Sequence, residues 1–338
     1  MILTEFIDIS NWNLQEWNKP QKGSRPNNIY ENPLTSELFY FKQSKSNYPT
    51  EIWSEIVASK LGQLIGFNIL DYNIAFDNEV VGCLSKSMVH KENGEELYHG
   101  IDILNDNIKE FEITSKPICS FQDWEYICST NELFNHFVPN FIETIIFDAI
   151  IGNTDRHTEN WAFIRVLNVK LQNNKPKQEI DWLKTFYSIL KLKPSIRLNL
   201  ASNIEFSHVF KFSPIYDSGS CLGREIDERK IGTFLKENDQ ILRYILNGKS
   251  EIKWNKEELN LFEIAKKVKS LYPKLFEEKI NLVFNKNIEK EIDNLIETID
   301  FNASKNYKGI LLSQNRKMLI KELLKRRINY LKNILQND

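Results

Sequence analysis

The sequence predicts an α+β fold of two lobes, a small strand-rich lobe with one helix ahead of a larger, mainly helical lobe. Three observations carry this. Residues 1–89 alternate short apolar and aromatic runs with Gly, Pro and Asn turns and hold one clear helical stretch. Residues 90–338 turn to helical periodicity. The 338-residue length exceeds a single ordinary core, at roughly 150 residues per domain. With 41% hydrophobic and 27% charged residues the composition is globular, which excludes a disordered, collagen-like or disulfide-stapled chain.

Along the chain, residues 19–33, with Pro20, Gly23, Pro26, Asn27, Asn28, Asn32 and Pro33, read as loop and turn. Leu38–Lys42 is a short aromatic strand ending in a lysine. Residues 50–65 read as a helix with Thr50 as N-cap, Glu51 in the first turn and Gly66 beyond the end. Residues 69–76 and 79–89 form a hairpin through Asp77-Asn78. In the second lobe Pro139 opens an apolar helix over 139–151, with Phe141, Ile142, Ile145, Ile146, Ala149 and Ile150 at helical spacing and Gly152 ending it. A strand over Trp161–Val166 comes next. Residues 167–208 read as an insertion with a helix near 179–191, Phe210–Tyr216 as a further strand, and everything from 232 onward as helix. The last helix, 314–335, sets Ile320, Leu324, Ile328, Leu331 and Leu335 against a basic face, the pattern of a core-packed terminal helix with a solvated side.

Charge is uneven. Residues 1–160 hold 11 Lys and Arg against 24 Asp and Glu, a net of −13; the remainder holds 33 against 22, a net of +11. Two halves of opposite sign attract each other or steer partners. The basic residues are spread rather than clustered, so a direct nucleic-acid surface is not expected. Cys83, Cys119, Cys128 and Cys221 show no CxxC or zinc-finger spacing and read as reduced thiols of a cytosol-like compartment. The acidic start, Met1 to Asp8, is no secretory signal, and no apolar window is long enough to span a membrane. Export by a route without such a signal stays open.

The chemistry concentrates in two loops and one strand. In Ile151-Gly152-Asn153-Thr154-Asp155-Arg156-His157-Thr158-Glu159-Asn160-Trp161 an apolar helix stops at glycine and a loop presents Asp, His and Asn before a strand begins. Asp155 suits acceptance of a hydroxyl proton, and the Asn160 carbonyl oxygen is a hard ligand for Mg²⁺. Pro214-Ile215-Tyr216-Asp217-Ser218-Gly219-Ser220 puts a second carboxylate at the end of an apolar strand, ahead of small residues. Lys42 ends its strand and Glu55 lies on the next helix, an arrangement that aims a lysine at nucleotide phosphates. Upstream, Gly23, Ser24 and Arg25 form a short turn able to approach phosphate. Singly these residues read as caps, turns and snorkelling side chains. Their order is what matters: glycine loop, strand Lys, helix Glu, Asp…Asn loop, strand Asp. That is the order of parts in protein-kinase-like phosphotransferases.

The Asp155-to-Trp161 motif, with the Pro214-to-Ser218 motif after it, resembles the HipA-like serine/threonine kinases, a family that includes bacterial toxin kinases of toxin–antitoxin modules. The resemblance implies a two-lobed protein-kinase-like fold, residues 1–89 and 90–338, using ATP and Mg²⁺. It makes Asp155 the catalytic base, with Asn160 and Asp217 as Mg²⁺ ligands. Lys42 then contacts ATP phosphates, oriented by Glu55, under a cover of Gly23, Ser24 and Arg25. Met88, Val89 and His90 become the hinge against adenine, largely through backbone. His157 either touches phosphate or holds its loop together. Ser24 becomes a candidate autophosphorylation site. The implied acceptor is a protein Ser or Thr, the implied partner an antitoxin or other regulator, and the implied setting the bacterial cytoplasm or an exported effector. The sequence departs from other kinases in reading Asp155-Arg156-His157 for His-Arg-Asp and Asp217-Ser218-Gly219 for Asp-Phe-Gly, with no Ala-Pro-Glu beyond. Two other readings use the same residues: phosphorylation of a small molecule or lipid headgroup, and a non-catalytic binding module.

Overall fold

A computed structural model describes residues 4–15, 28–44, 48–108, 118–171, 204–284, 287–302 and 310–336. The fold is α+β, and its two lobes meet at the loops carrying Asp155 and Asp217.

The first lobe is a six-stranded sheet with one helix across it. Its strands are β1 (Phe6–Asp8), β2 (Asn13–Leu14), β3 (Asn28–Glu31), β4 (Leu38–Gln43), β5 (Tyr72–Asp77) and β6 (Val80–Lys86), in the order β1-β5-β6-β4-β3-β2. Only the β1–β5 pair is parallel. Phe41 packs with Ile9, Tyr30, Ala75 and Leu84 on one face of the sheet. Strand period two therefore turns its neighbour Lys42 to the opposite face, toward helix α1 (Glu51–Ile65). That helix is buried along nearly its whole length by Ile52, Ile56, Val57 and Leu61, each worth about 1.5–3 kcal/mol of burial.

Two expectations are corrected by the first lobe, and a third is met in position only. Residues 28–31, read as loop, form β3, because Ile29 and Tyr30 are buried between β4 and the edge strand β2. Thr50 stands at the N-cap of α1 as expected, but it makes no capping hydrogen bond, and its hydroxyl is buried without a partner among the described residues. The hairpin turns at Asn78-Glu79 rather than Asp77-Asn78: Asp77 pairs with Val80, and Asn78 takes the left-handed φ of 55° that such a turn demands.

After β6 come a short 3₁₀ turn at Lys91–Asn93, β7 (Glu95–His99), α2 (Gly100–Asn107) and α3 (Phe121–Thr130). Next is α4 (Val138–Ile151), the helix expected over 139–151, buried on every side. Strands β8 (Ala162–Leu171) and β9 (Ile204–Phe212) join β7 in an antiparallel sheet of order β7-β8-β9. The ends of the segment expected as an insertion thus continue this ribbon; the helix expected near 179–191 lies outside the described residues. Strand β9 stops at Phe212, so Asp217 does not end a strand. Residues 213–216 form an irregular stretch pinned by an Ile69–Ile215 bridge, with Ile215 N–H donating to the Asn68 carbonyl at 2.8 Å. That bridge ties the stretch to the loop leaving α1.

The remainder holds α5 (Glu228–Phe234), α6 (Asn238–Asn247), α7 (Leu261–Leu271), α8 (Pro273–Phe284), α9 (Ile288–Thr298) and α10 (Gln314–Gln336). It is not helical throughout, since 249–260 is a loop with two isolated bridges within it and a third from Lys253 to Ser120. Helices α7, α8 and α10 enclose α4. The basic face of α10 is ion-paired more than solvated: Lys317 to Asp300, Lys321 to Glu297 and Lys325 to Asp293. Glu51–Arg224 and Glu143–Lys279 pair the acidic half of the chain with the basic half. All four cysteines are buried free thiols. No helix among the described residues is long and apolar enough to cross a membrane.

Candidate active site

Helix α4 ends at Gly152, whose φ of 73° is the left-handed conformation of a helix C-cap. The Gly152 and Asn153 N–H groups both donate to the Asp148 carbonyl, at 2.8 and 3.0 Å, and reverse the chain. A Cβ on Gly152 would stand 2.7 Å from the guanidinium of Arg327, which is buried beneath it. The turn therefore has room only for glycine.

Arg156 organises the loop beyond this turn. It is 2% exposed, and its guanidinium makes a fork with Asp148, Nε to Oδ2 at 3.0 Å and Nη2 to Oδ1 at 2.8 Å. Its Nη1 donates to the Asn160 carbonyl at 2.8 Å and to the Tyr216 carbonyl, and its Nη2 reaches Ser218 Oγ at 3.1 Å. One side chain thereby fixes the backbone at Asn160 and on both sides of Asp217. Burial alone would lower the guanidinium's affinity for its proton, but the Asp148 carboxylate outweighs it and raises the Arg156 pKa. Neither Arg156 nor Asp148 is among the site residues expected from the sequence. The signal for them is a lone Asp in the last turns of an apolar helix, ahead of a glycine and an arginine.

Within this frame Asp155 is exposed and Asn160 buried. Asn160 Nδ2 donates to the Asp155 carbonyl at 2.7 Å, which orients the Asn160 amide and leaves its Oδ1 as an acceptor. The Asp155 carboxylate accepts a hydrogen bond from Ser220 Oγ at 2.9 Å, a contact not expected from the sequence. His157 lies half-buried beside them, its Nδ1 accepting from Glu159 N–H at 3.2 Å and its carbonyl from Asn160 N–H at 2.9 Å.

Asp217 comes from the other side with φ 52°, a left-handed conformation that Asp tolerates better than most residues. Lys42 Nζ makes a short contact with Asp217 Oδ1 and stands 3.9 Å from Glu55 Oε1. Burial of Lys42 works against its charge, yet Asp217 first and Glu55 second hold its pKa above the ordinary lysine range. Both Glu55 carboxylate oxygens are buried and lack a hydrogen-bond partner among the described residues. Burial, then Asp217, push its pKa up, while Lys42 opposes. Lys42, Glu55 and Asp217, from three separate places in the sequence, thus meet in one charged cluster, and Arg156 ties it to the loop of Asp155 and Asn160.

The other expected residues are placed unevenly. Gly23, Ser24 and Arg25 lie outside the described residues. Met88, Val89 and His90 form the half-buried link leaving β6. The Val89 carbonyl accepts from Ser87 Oγ at 2.8 Å, Val89 N–H donates to that oxygen at 3.3 Å, and His90 N–H donates to Glu95 at 3.0 Å. Val89 and His90, two of the three residues expected as a hinge, thus have backbone groups satisfied within the link.

The donor set fits Mg²⁺. Asp217 and Asn160 offer hard oxygens, and no cluster of three or more His, Cys, Asp and Glu side chains suited to a metal occurs among the described residues. Two protein oxygens, with water and phosphate completing the shell, are what Mg²⁺ ordinarily takes.

Across its length the chain superposes on the crystal structure of a Helicobacter pylori proinflammatory kinase, CtkA. The TM-score is 0.70, with 16% identity, covering 99% of this chain and 100% of that one. The chain therefore shares the fold of that kinase. A Shewanella oneidensis HipA, solved with HipB and operator DNA, gives a TM-score of 0.44 at 10% identity over 89% of this chain and 61% of that one. No family model and no curated protein matches the sequence. In this chain the loop after α4 and the loop carrying Asp217 are joined through Arg156.

Proposed function

We propose that the chain is an ATP- and Mg²⁺-dependent serine/threonine protein kinase of the HipA-like type, with residues 1–89 as the nucleotide-cradling lobe and 90–338 as the acceptor-side lobe. The observation that carries this reading is the meeting of Lys42, Glu55 and Asp217 in one charged cluster, tied through Arg156 to the Asp155–Asn160 loop.

When bound, Mg²⁺-ATP supplies the phosphoryl group and the metal charge that neutralises its oxygens. Asn160 and Asp217 are the residues that would hold the metal. Lys42, steadied by Glu55, binds phosphate oxygens; Gly23, Ser24 and Arg25 cover them, and Met88 to His90 line the adenine. Asp155 holds the acceptor hydroxyl by its proton and takes that proton as the oxygen attacks. The work of these residues is positioning and electrostatic preorganisation. The HipA-like reading also carries self-modification at Ser24 and a regulatory partner of the antitoxin kind.

The test is transfer of labelled phosphate from ATP to protein acceptors with Mg²⁺, wild type against Asp155→Ala. Loss of a general base costs about 10²–10⁴-fold in rate. The variant should lose that much while binding ATP as tightly as wild type. Transfer at the wild-type rate by Asp155→Ala removes Asp155 from the assigned role.

A further inference from the structure

The hydroxyl on Asp155 in this structure belongs to the protein itself. Ser220 Oγ donates to Asp155 Oδ2 at 2.9 Å, within the reach a general base needs of the proton it removes. The contact is held from both sides. Before it, Ser218 Oγ accepts from Arg156 Nη2 at 3.1 Å. After it, Ser54 Oγ donates to the Cys221 carbonyl at 3.1 Å, Cys221 Sγ contacts the Ser54 carbonyl at 3.8 Å, and Leu222 N–H donates to the Ile151 carbonyl at 3.1 Å. Gly219 lets this loop lie directly on α1: a Cβ there would come within 2.9 Å of Glu55 Oε2 and 3.1 Å of Glu51 Cγ. Ser220 is half-buried and stands three residues past Asp217, which pairs with Lys42.

We propose that Ser220 is an internal phosphate acceptor, phosphorylated by its own chain. The proposal rests on the kinase reading and goes beyond it by naming an acceptor. Ser220 Oγ forms the new bond to the γ-phosphorus of ATP. The bond between that phosphorus and the β–γ bridging oxygen breaks, ADP departs with the electron pair, and the hydroxyl proton passes to Asp155 Oδ2. The product places a phosphate dianion beside the Asp155 and Asp217 carboxylates. Among the described residues Lys42 is paired with Asp217, Arg224 with Glu51 and Arg156 with Asp148. The modified loop therefore leaves Asp155, and the Leu222–Ile151 hydrogen bond loosens with it.

The experiment incubates the full chain with Mg²⁺-ATP, maps phosphosites by mass spectrometry across a protein dilution series, and mixes in an isotopically marked Asp155→Asn chain. The expected result is phosphate on Ser220 at a rate independent of protein concentration, with the Asp155→Asn chain unmodified at that position. The modification should persist in Ser220→Thr and vanish in Ser220→Ala. A nucleotide-free readout accompanies it: amide hydrogen exchange at Leu222 should be faster in the purified phosphorylated chain than in the same chain after phosphatase treatment. Phosphate on added proteins or other serines, with Ser220 never modified, overturns the proposal and leaves the kinase reading standing. Modification of Ser220 on the Asp155→Asn chain by its active neighbour overturns the internal route. Unchanged exchange at Leu222 overturns the placement of the phosphate at Asp155. No transfer to any acceptor and no ATP turnover overturns both readings together.

Discussion

Replacing Arg156 by methionine removes the guanidinium while keeping most of its volume. It leaves Asp148, itself buried, without the fork at 2.8 and 3.0 Å, and it strips donors from the Asn160 and Tyr216 carbonyls. Breaking a buried ion pair from one side costs about 3–5 kcal/mol. At about 2.1 cal/mol/K per residue, 338 residues have an unfolding entropy of about 0.7 kcal/mol/K, so the melting temperature should fall by about 4–7 °C. Arg156→Lys should fall almost as far, since a point charge cannot reach Asp148 and both carbonyls at once. Removing Asp148 as well, in Arg156→Met with Asp148→Leu, should recover much of the melt because no buried charge is left unpaired. It should not recover phosphate transfer, because the Asn160 and Tyr216 carbonyls stay unclamped. Differential scanning calorimetry of the three variants reads the first effect and a labelled-ATP assay the second. A single Arg156→Met melting within about 1 °C of wild type would refute the argument, since it would mean that Asp148 is not stranded.

Two other predictions concern the same site. Glu55→Gln removes a buried carboxylate whose folded pKa lies above its unfolded one, chiefly through burial. Such a group weakens the fold progressively as pH rises above about 4.3, where the unfolded chain ionises first. The variant should therefore out-melt wild type near neutrality and match it in acid, and a difference that does not grow with pH counts against the reading. Gly152→Ala forces a left-handed alanine into the Arg327 guanidinium, and backbone strain of about 1–2 kcal/mol alone lowers the melt by about 1–3 °C; an unchanged melt in thermal scanning would show that the turn relaxes freely.

What the sequence made legible divides along physical lines. Lys42 and Glu55 were readable because each sits on a regular element whose period sets its direction, and Asp155 and Asn160 because a helix stop and a strand start bracket their loop. Arg156 looks like an exposed residue in the sequence; its burial depends on Asp148 eight positions back and on two carbonyls, one of them 60 residues ahead. Strand β3 hides behind Asn28 and Pro33, since its stability lies in pairing with β4 and β2 rather than in its own propensities. The Ser220 contact spans 65 residues and leaves no local mark in the sequence. Asp217 reads as the end of a strand because the apolar run through Ile215 continues past the ladder, which stops at Phe212.

The C-terminal helix sets the order in which this site can be completed. Arg316 of α10 donates to the Gly223 and Ile226 carbonyls, each at 2.6 Å, just after the Asp217 loop, and Arg327 lies beneath Gly152 at the mouth of the Asp155 loop. Both supports come from a helix far downstream of the loops they hold, Arg316 being 93 residues beyond Gly223. A nascent chain holding β4, α1, α4 and both loops has every chemical group of the site but not the two arginines behind them. The site therefore stays unbuttressed until α10 has been made and docks.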